Sequence, residues 1–357
     1  MLINLGLLIT GIALLALGGE GVVRGALAVS ARLGISPGVT GLTIVGFGTS
    51  APELVVSVDA AVNRLPDIAI ANVIGSNISN VLLVLSVCAL IAPLSISRRA
   101  LSHDAMAMVA ATVVFLLLAA GEGLGRGDGV VLLLALAAYL LWTYRTEVRA
   151  GSDAGTMHRA EASEIAVVPS STWLAVVVLA GGFATLLLGS RLTLTAAVEL
   201  GGRLGISDAV IGLSVVALGT SLPEFAVSVL ATVRGHHAVA IGNVLGSNVF
   251  NLLGILGVSA MLQPLPLVGR MAATDQWVML GATLLLVVLM FTGRRLTRLE
   301  GALLLGCYAA FITLLYWAPL NSEARAEAQP GTCHAAGNAD RRAVGAPAGC
   351  PGHDALG

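Results

Sequence analysis

The chain contains no lysine; all 19 of its basic residues are arginine. Charge of either sign is scarce, at 11% of 357 residues, against about 25% in a soluble domain. Aromatic residues contribute only 4%. With so little charge the chain offers no basic surface for nucleic acid, and no nucleic-acid partner is expected. No HExxH zinc motif is present, and Asp59 has no matching membrane aspartate 171 residues on, where Leu230 stands. These absences argue against an intramembrane protease, and the chain reads as no enzyme, with no cofactor. Cysteines number four. Cys88 and Cys307 fall in apolar stretches. Cys333-His334 and Cys350 with His353 fall near the C-terminus, where metal binding, a disulfide and an inert tail are all open readings.

What is abundant is apolar. Hydrophobic residues make up 57% and mean hydropathy is +0.92, which places the chain among integral membrane proteins. The 43 glycines suit helices that pack closely in lipid. Met1–Leu17 lacks a basic n-region and a clear cleavage site, so it reads as the start of a first membrane helix rather than a signal peptide. A span needs about 20 mostly apolar residues. Cutting at Gly, Pro, Arg and Asp predicts ten, near 2–31, 36–63, 68–92, 103–120, 126–145, 171–201, 207–234, 238–262, 274–292 and 298–317. A polar loop over 146–168 divides them five and five. The segment 321–357, rich in Ala, Gly, Pro and charge, reads as a disordered tail.

The two halves repeat. Residues 41–94 align with 212–265 at a constant offset of 171, without a gap, and 27 of the 54 positions are identical. Chance matching of apolar runs would not hold one offset through Thr49/Thr220, Glu53/Glu224, Asn72/Asn243, Ser76/Ser247 and Asn80/Asn251, so the unit is duplicated. Five helices per unit is an odd number, so the second copy enters the membrane from the opposite side. The predicted fold is an all-α integral membrane protein of ten transmembrane helices, built as two inverted five-helix repeats. Residues 1–145 form the first repeat and 169–320 the second, joined by the 146–168 loop. In such proteins the substrate site lies near the bilayer midplane, on interrupted helices at matching places in the two halves. Arg32, Arg98, Arg99, Arg145, Arg149, Arg159, Arg234, Arg294, Arg295 and Arg298 fall on the side opposite the termini. The positive-inside rule then puts the 146–168 loop in the cytoplasm and both termini outside, with the chain multi-pass in the cell (inner) membrane.

The repeated polar residues lie mid-membrane. An ionisable group there costs roughly 2.5–3.5 kcal/mol on insertion scales. Each half carries one such glutamate, in GTSAPE (Gly48–Glu53) and GTSLPE (Gly219–Glu224). No arginine recurs at matched membrane positions, so a structural ion pair does not explain them. Glu20 and Arg24, four residues apart in span 1, are expected to form a local structural pair. Pro52 removes an N–H, and Gly46 and Gly48 let the backbone bend, so span 2 should break there. Thr49 and Ser50 then set hydroxyls one turn before Glu53, with Thr49 at i−4 on its face. The next span adds NVIGSN (Asn72–Asn77) with Asn80 beyond it, and NVLGSN (Asn243–Asn248) with Asn251. Ser76 and Asn80 share a helix face, as do Ser247 and Asn251. Gly75 and Gly246 permit a kink or a close helix contact. Asn72, Asn77, Asn243 and Asn248 are expected to satisfy broken backbone rather than ions. Carboxylate, hydroxyl, amide and carbonyl oxygens are hard ligands suited to Na⁺ and Ca²⁺. The alternative is that the hydroxyls merely bond back to their own helices.

On these duplicated motifs the chain resembles the cation/Ca²⁺ exchanger superfamily, and in particular its prokaryotic sodium/calcium exchanger branch. The resemblance covers nearly all of residues 1–317. It implies an antiporter exchanging Na⁺ for Ca²⁺ by alternating access, with broken spans 2, 3, 7 and 8 around a midplane ion site and spans 1 and 6 sliding across them. It implies ligands from Gly46, Thr49, Ser50, Glu53, Ser76 and Asn80 in one half. The matching set is Ala217, Thr220, Ser221, Glu224, Ser247 and Asn251, with Gly46 and Ala217 acting through backbone carbonyls. Some relatives carry Asp where Asn251 stands here. H⁺ or K⁺ as the driving ion remains open, as does a cation channel of a different class. Ca²⁺, Na⁺ and membrane lipid are the expected partners; the sequence does not fix an oligomeric state.

Overall fold

A computed structural model describes residues 2–33, 37–98, 100–121, 123–149, 171–203 and 217–327. The protein is almost wholly helical. The helices are α1 (Leu2–Leu33), α2 (Gly41–Thr49, led by the turn Pro37–Thr40), α3 (Ala51–Val62), α4 (Pro66–Ile91), α5 (Ala100–Leu118) and α6 (Arg126–Arg149). They continue with α7 (Thr172–Arg203), α8 (Ala217–Thr220), α9 (Leu222–Val233), α10 (His237–Leu262), α11 (Met271–Phe291) and α12 (Arg298–Glu327). Among the described residues seven helices are long and apolar enough to cross a membrane, or eight if α2 and α3 form one bent span. Contacts divide the chain into Met1–Phe311, which holds the candidate site, and Ile312–Gly357. The 146–168 loop lies outside the described residues from 150 onward, and so does the tail from 328. Residues 321–327, expected in the disordered tail, instead continue α12. Their Ala, Glu and Arg are good helix formers.

Element boundaries repeat at the sequence offset of 171. α3 and α9 start at 51 and 222, and α4 and α10 start at 66 and 237. Both α4 and α10 carry a π-type turn where the asparagines sit, Asn80–Val84 and Asn251–Ile255. The chain breaks at Ser50, where α2 and α3 meet at 49°. Pro52 takes its place in the first turn of α3, where a missing N–H costs nothing. Ser221 holds nearly the same backbone angles (φ −85°, ψ 6°) as Ser50 (φ −80°, ψ 9°), ahead of Pro223 in α9. The expectation of breaks in spans 3 and 8 is not met by α4 and α10, each of which runs through as one continuous helix. Their irregularity is the π turn, a single turn of i→i+5 pairing set into an otherwise continuous α-helix. Gly246 serves close approach instead of a kink: a Cβ there would overlap the backbone carbonyl of Leu42 on α2.

α1 and α7 are each 32 residues, about 48 Å at the usual helical rise. They lie side by side and antiparallel, since Gly11 meets the Gly189–Thr193 stretch while Gly25 meets Leu179. A Cβ on Gly18 would stand 2.6 Å from the amide nitrogen of Leu186, and one on Gly182 2.6 Å from that of Val22. Only glycine allows backbones that close. Leu15, Val22, Val23 and Leu27 of α1 pack with Leu186, Val227 and Ala231 in one buried cluster, so α1 rests against α9 as well as α7. The Glu20–Arg24 pair forms as expected at 2.6 Å, and Arg234 after α9 joins it at 3.0 Å.

Two short antiparallel pairings were not foreseen. β1 (Leu94–Ser95) pairs with β4 (Arg295–Leu296), and β2 (Gly123–Leu124) with β3 (Leu265–Pro266). Each joins one half of the chain to the other. The helix after β4 begins with a capping box: the Thr297 amide donates to Glu300 Oε2 at 2.7 Å and the Glu300 amide to Thr297 Oγ1 at 3.3 Å.

Candidate functional site

Where the α2–α3 break faces α8–α9, two glutamates lie fully buried, Glu53 on α3 and Glu224 on α9. Both occupy the first turn of their helices, where the positive end of the helix dipole favours a carboxylate. They are close enough to interact electrostatically. α4 and α10 supply the remaining walls.

The serines cross between halves. Ser50 Oγ donates to Glu224 Oε1 at 2.8 Å, and Ser221 Oγ donates to Glu53 Oε1 at 3.3 Å. A continuous helix would have aimed Thr49 and Ser50 at Glu53. The break at Ser50 ends that i−4 relation and turns the hydroxyl to the opposite half. Thr49 stands beside Glu224 and Thr220 beside Glu53. Thr49 Oγ1 also lies 3.3 Å from the Gly46 carbonyl and 3.1 Å from Asn243 Oδ1. Ser247 Oγ donates to the Gly46 carbonyl at 3.0 Å and lies 3.5 Å from Glu224 Oε1. The Gly46 carbonyl therefore already accepts from this hydroxyl. Ala217 opens α8, and the chain before it lies outside the described residues.

Asn72 and Asn243 behave as backbone anchors. Asn72 Nδ2 donates to the Glu53 carbonyl at 3.3 Å and Asn243 Nδ2 to the Glu224 carbonyl at 3.3 Å. Each also donates to a serine the sequence reading missed, Ser57 at 3.0 Å and Ser228 at 2.9 Å. Ser57 and Ser228 are themselves 171 apart, so the constant offset was the signal that would have found them. Asn77 and Asn248 bond each other's backbone, Nδ2 to carbonyl, at 3.3 Å both ways.

Among the described residues of this site, four buried side-chain oxygens have no hydrogen-bond partner: Glu53 Oε2, Glu224 Oε2, Asn80 Oδ1 and Asn251 Oδ1. They form two repeat-related pairs. Burying such groups without partners costs free energy. Two carboxylates and two amide carbonyls with free lone pairs make a hard, acceptor-only set with a formal charge of −2 when both acids are ionised. Other predicted side-chain ligands serve the network that holds these four: Ser50 and Ser221 donate to the carboxylates, Thr49, Thr220 and Ser247 stand beside them, and Ser76 accepts from an amide. Ser76 Oγ accepts from Asn251 Nδ2 at 3.1 Å and donates to the Val73 carbonyl.

Comparison with known proteins bears on this arrangement. A family profile described as sodium/calcium exchanger protein matches residues 3–145 and again residues 174–317, one match per repeat. CaxA of Alkalimonas amylolytica is 36% identical over 321 residues, spanning 88% of this chain and 99% of that protein. The sodium/calcium exchanger MaX1 of Methanosarcina acetivorans is 30% identical, spanning 88% of this chain and 99% of that one. A solved structure of the sodium-calcium exchanger NCX_Mj, soaked with Na⁺ and Ca²⁺, superposes with a TM-score of 0.74 at 31% identity and covers 88% of this chain and 98% of its own. The chain is thus a multi-pass membrane transporter that belongs to the sodium/calcium exchanger family.

Proposed function

We propose that this protein is a secondary active antiporter that exchanges Na⁺ for Ca²⁺ by alternating access. The observation that carries the reading is the set of four buried, unpartnered oxygens on Glu53, Glu224, Asn80 and Asn251. The ions are cargo. Ca²⁺ matches the charge of the two carboxylates, and Na⁺ ions compete for the same oxygens. Ser50, Ser221, Ser76 and Ser247 orient the carboxylates and amides and offer hydroxyl lone pairs as further ligands. Thr49, Thr220 and the carbonyls of Gly46 and Ala217 complete the proposed set. Relatives named for sodium/calcium exchange over nearly the whole chain support this cargo.

The proposed architecture is ten spans in two inverted five-helix repeats. The constant offset of 171 in element boundaries, the antiparallel packing of α1 on α7 and the exchanged strand pairings support it. Access to the buried site requires that something move, and α1 with α7 is the proposed moving pair. It packs across α9 through small and aliphatic side chains that can slide. The protein sits in the cell membrane with both termini outside and the central loop in the cytoplasm, as the arginine distribution supports.

The test is ⁴⁵Ca²⁺ uptake into vesicles under an imposed Na⁺, K⁺ or pH gradient. Uptake driven by the Na⁺ gradient alone is expected. Uptake that follows only the pH or K⁺ gradient would replace the driving ion. Saturating flux independent of every counter-ion gradient would mean a channel.

A further inference from the structure

The ion site proposed above needs two amides to present oxygen, and an amide does not decide that for itself. Its two ends are nearly equal in size, and only the neighbours determine which one faces a cavity. If Asn80 or Asn251 turned its NH₂ inward, a donor would point at a cation.

We propose that Asn77 and Asn248 are positioning residues, each of which fixes the amide of an ion-facing asparagine in the other half of the chain. The inference rests on the ion-site reading and adds residues that do not touch the ion. Its logic begins at a backbone carbonyl, which can only accept. The Asn248 carbonyl accepts from Asn77 Nδ2 at 3.3 Å, so the opposite end of the Asn77 amide is oxygen. That oxygen accepts from Asn251 Nδ2 at 3.0 Å, so the opposite end of Asn251 is oxygen as well. This is the buried, unpartnered Oδ1 of Asn251. The mirror relay starts at the Asn77 carbonyl, which accepts from Asn248 Nδ2 at 3.3 Å. Asn248 Oδ1 accepts from Asn80 Nδ2 at 3.1 Å, leaving Asn80 Oδ1 unpartnered. Both relays run from main chain to cavity in two steps, and both cross from one half to the other.

Among the described residues no second acceptor anchors the Asn80 amide. Asn251 has one further acceptor, Ser76 Oγ at 3.1 Å, whereas Asn80 has Asn248 alone. Losing Asn248 should therefore harm its partner more than losing Asn77. Asn77 and Asn248 are buried among α4 and α10, where a reversed amide finds no water to satisfy it. Reversing one would set oxygen against the carbonyl and NH₂ against NH₂, losing two hydrogen bonds at once.

The prediction is a pattern of coupling. Apparent Ca²⁺ affinity is measured by Na⁺-gradient-driven ⁴⁵Ca²⁺ uptake in single and double alanine variants, with thermal unfolding of each purified protein as the control for folding. Asn251→Ala and Asn80→Ala should each weaken Ca²⁺ by about tenfold or more, and Asn77→Ala and Asn248→Ala by roughly three- to tenfold. Asn77→Ala should add nothing to Asn251→Ala, and Asn248→Ala nothing to Asn80→Ala, because a positioning residue has no work once its target is gone. The same-half pairs, 77 with 80 and 248 with 251, should multiply. Multiplication in the cross-half pairs, or coupling that follows the same-half pairs, would overturn the proposal. So would loss of unfolding temperature or maximal rate with Ca²⁺ affinity unchanged, since that marks a merely structural role. Unaltered affinity in both Asn80→Ala and Asn251→Ala would instead sink the ion-site reading, and the relay with it. If an alanine variant does not fold, serine at 77 or 248 repeats the cycle, because it keeps a hydroxyl but cannot reach the facing amide.

Discussion

Replacing Glu53 or Glu224 by glutamine tests the centre of the mechanism. Glutamine keeps the volume of glutamate and one carbonyl oxygen, so the packing around a fully buried site changes little. The formal charge of the pair falls from −2 to −1. At an effective dielectric of about 20 and a Ca²⁺–oxygen separation of about 2.4 Å, one carboxylate attracts a divalent ion by about 14 kcal/mol and a monovalent ion by about half that. Dehydration of the ion and the dipole of the amide offset most of this difference. If only about 3 kcal/mol survives, Ca²⁺ affinity falls roughly 150-fold, with a smaller loss for Na⁺. The two variants should not be equal. Glu224 Oε1 receives Ser50 at 2.8 Å, with the Ser247 hydroxyl 3.5 Å away and Thr49 beside it, whereas Glu53 Oε1 receives Ser221 at a longer 3.3 Å, with Thr220 beside it. Glu224→Gln disturbs the larger network and should show the greater loss. The assay is Na⁺-driven ⁴⁵Ca²⁺ uptake in vesicles, with Ca²⁺ titrated against Na⁺. Uptake within threefold of the parent in either variant, at unchanged Ca²⁺/Na⁺ competition, would remove that glutamate from the site.

Other expectations are simpler. Gly246→Ala must push α10 away from the Leu42 carbonyl, which is main chain and cannot rotate aside; a loss of about 1–3 kcal/mol is expected, read as a lowered unfolding temperature, and an unchanged temperature would contradict the close approach. Glu20→Gln removes the acid shared by Arg24 and Arg234; both arginines are substantially exposed, so less than about 1 kcal/mol should be lost, and the loss should shrink at high salt. For topology, a single cysteine at Ser163 or at Ser322 in a cysteine-free background is treated with an impermeant reagent on intact cells. Only the one at 322 should react, and the reverse pattern would invert the orientation.

Much of the site was legible because it is written twice. The offset of 171 singled out Glu53, Glu224, Ser76, Ser247, Asn80 and Asn251 without any structure, and the same offset contains Ser57 and Ser228, which were passed over. The break before Pro52 was legible too, because a missing N–H has only one consequence inside a helix. Regular helix geometry between neighbours in sequence aims Ser50 at Glu53, and that reading fails. Of the two alternatives open to Gly75 and Gly246, a kink or a close helix contact, Gly246 takes the close contact. The irregularity falls one turn later, in the π turns at Asn80 and Asn251. The Ser50 hydroxyl is turned across to Glu224 by a backbone (ψ 9°) that no longer follows the helix.

Composition alone determined that this chain lives in a membrane, because 11% charge cannot solvate a surface and 57% apolar residues need lipid or a core. Duplication alone determined that the site has two matching halves. What the sequence could not decide is who holds whom. Hydrogen-bond direction between Asn77 and Asn251, or between Asn248 and Asn80, depends on which carbonyl lies within about 3 Å, and those partners stand 174 and 168 positions apart. Distance along the chain carries no information about that. Only the packing of α4 against α10 brings the four amides together, and only then does the acceptor-only nature of two backbone carbonyls leave the Asn80 and Asn251 oxygens free for the proposed ion site.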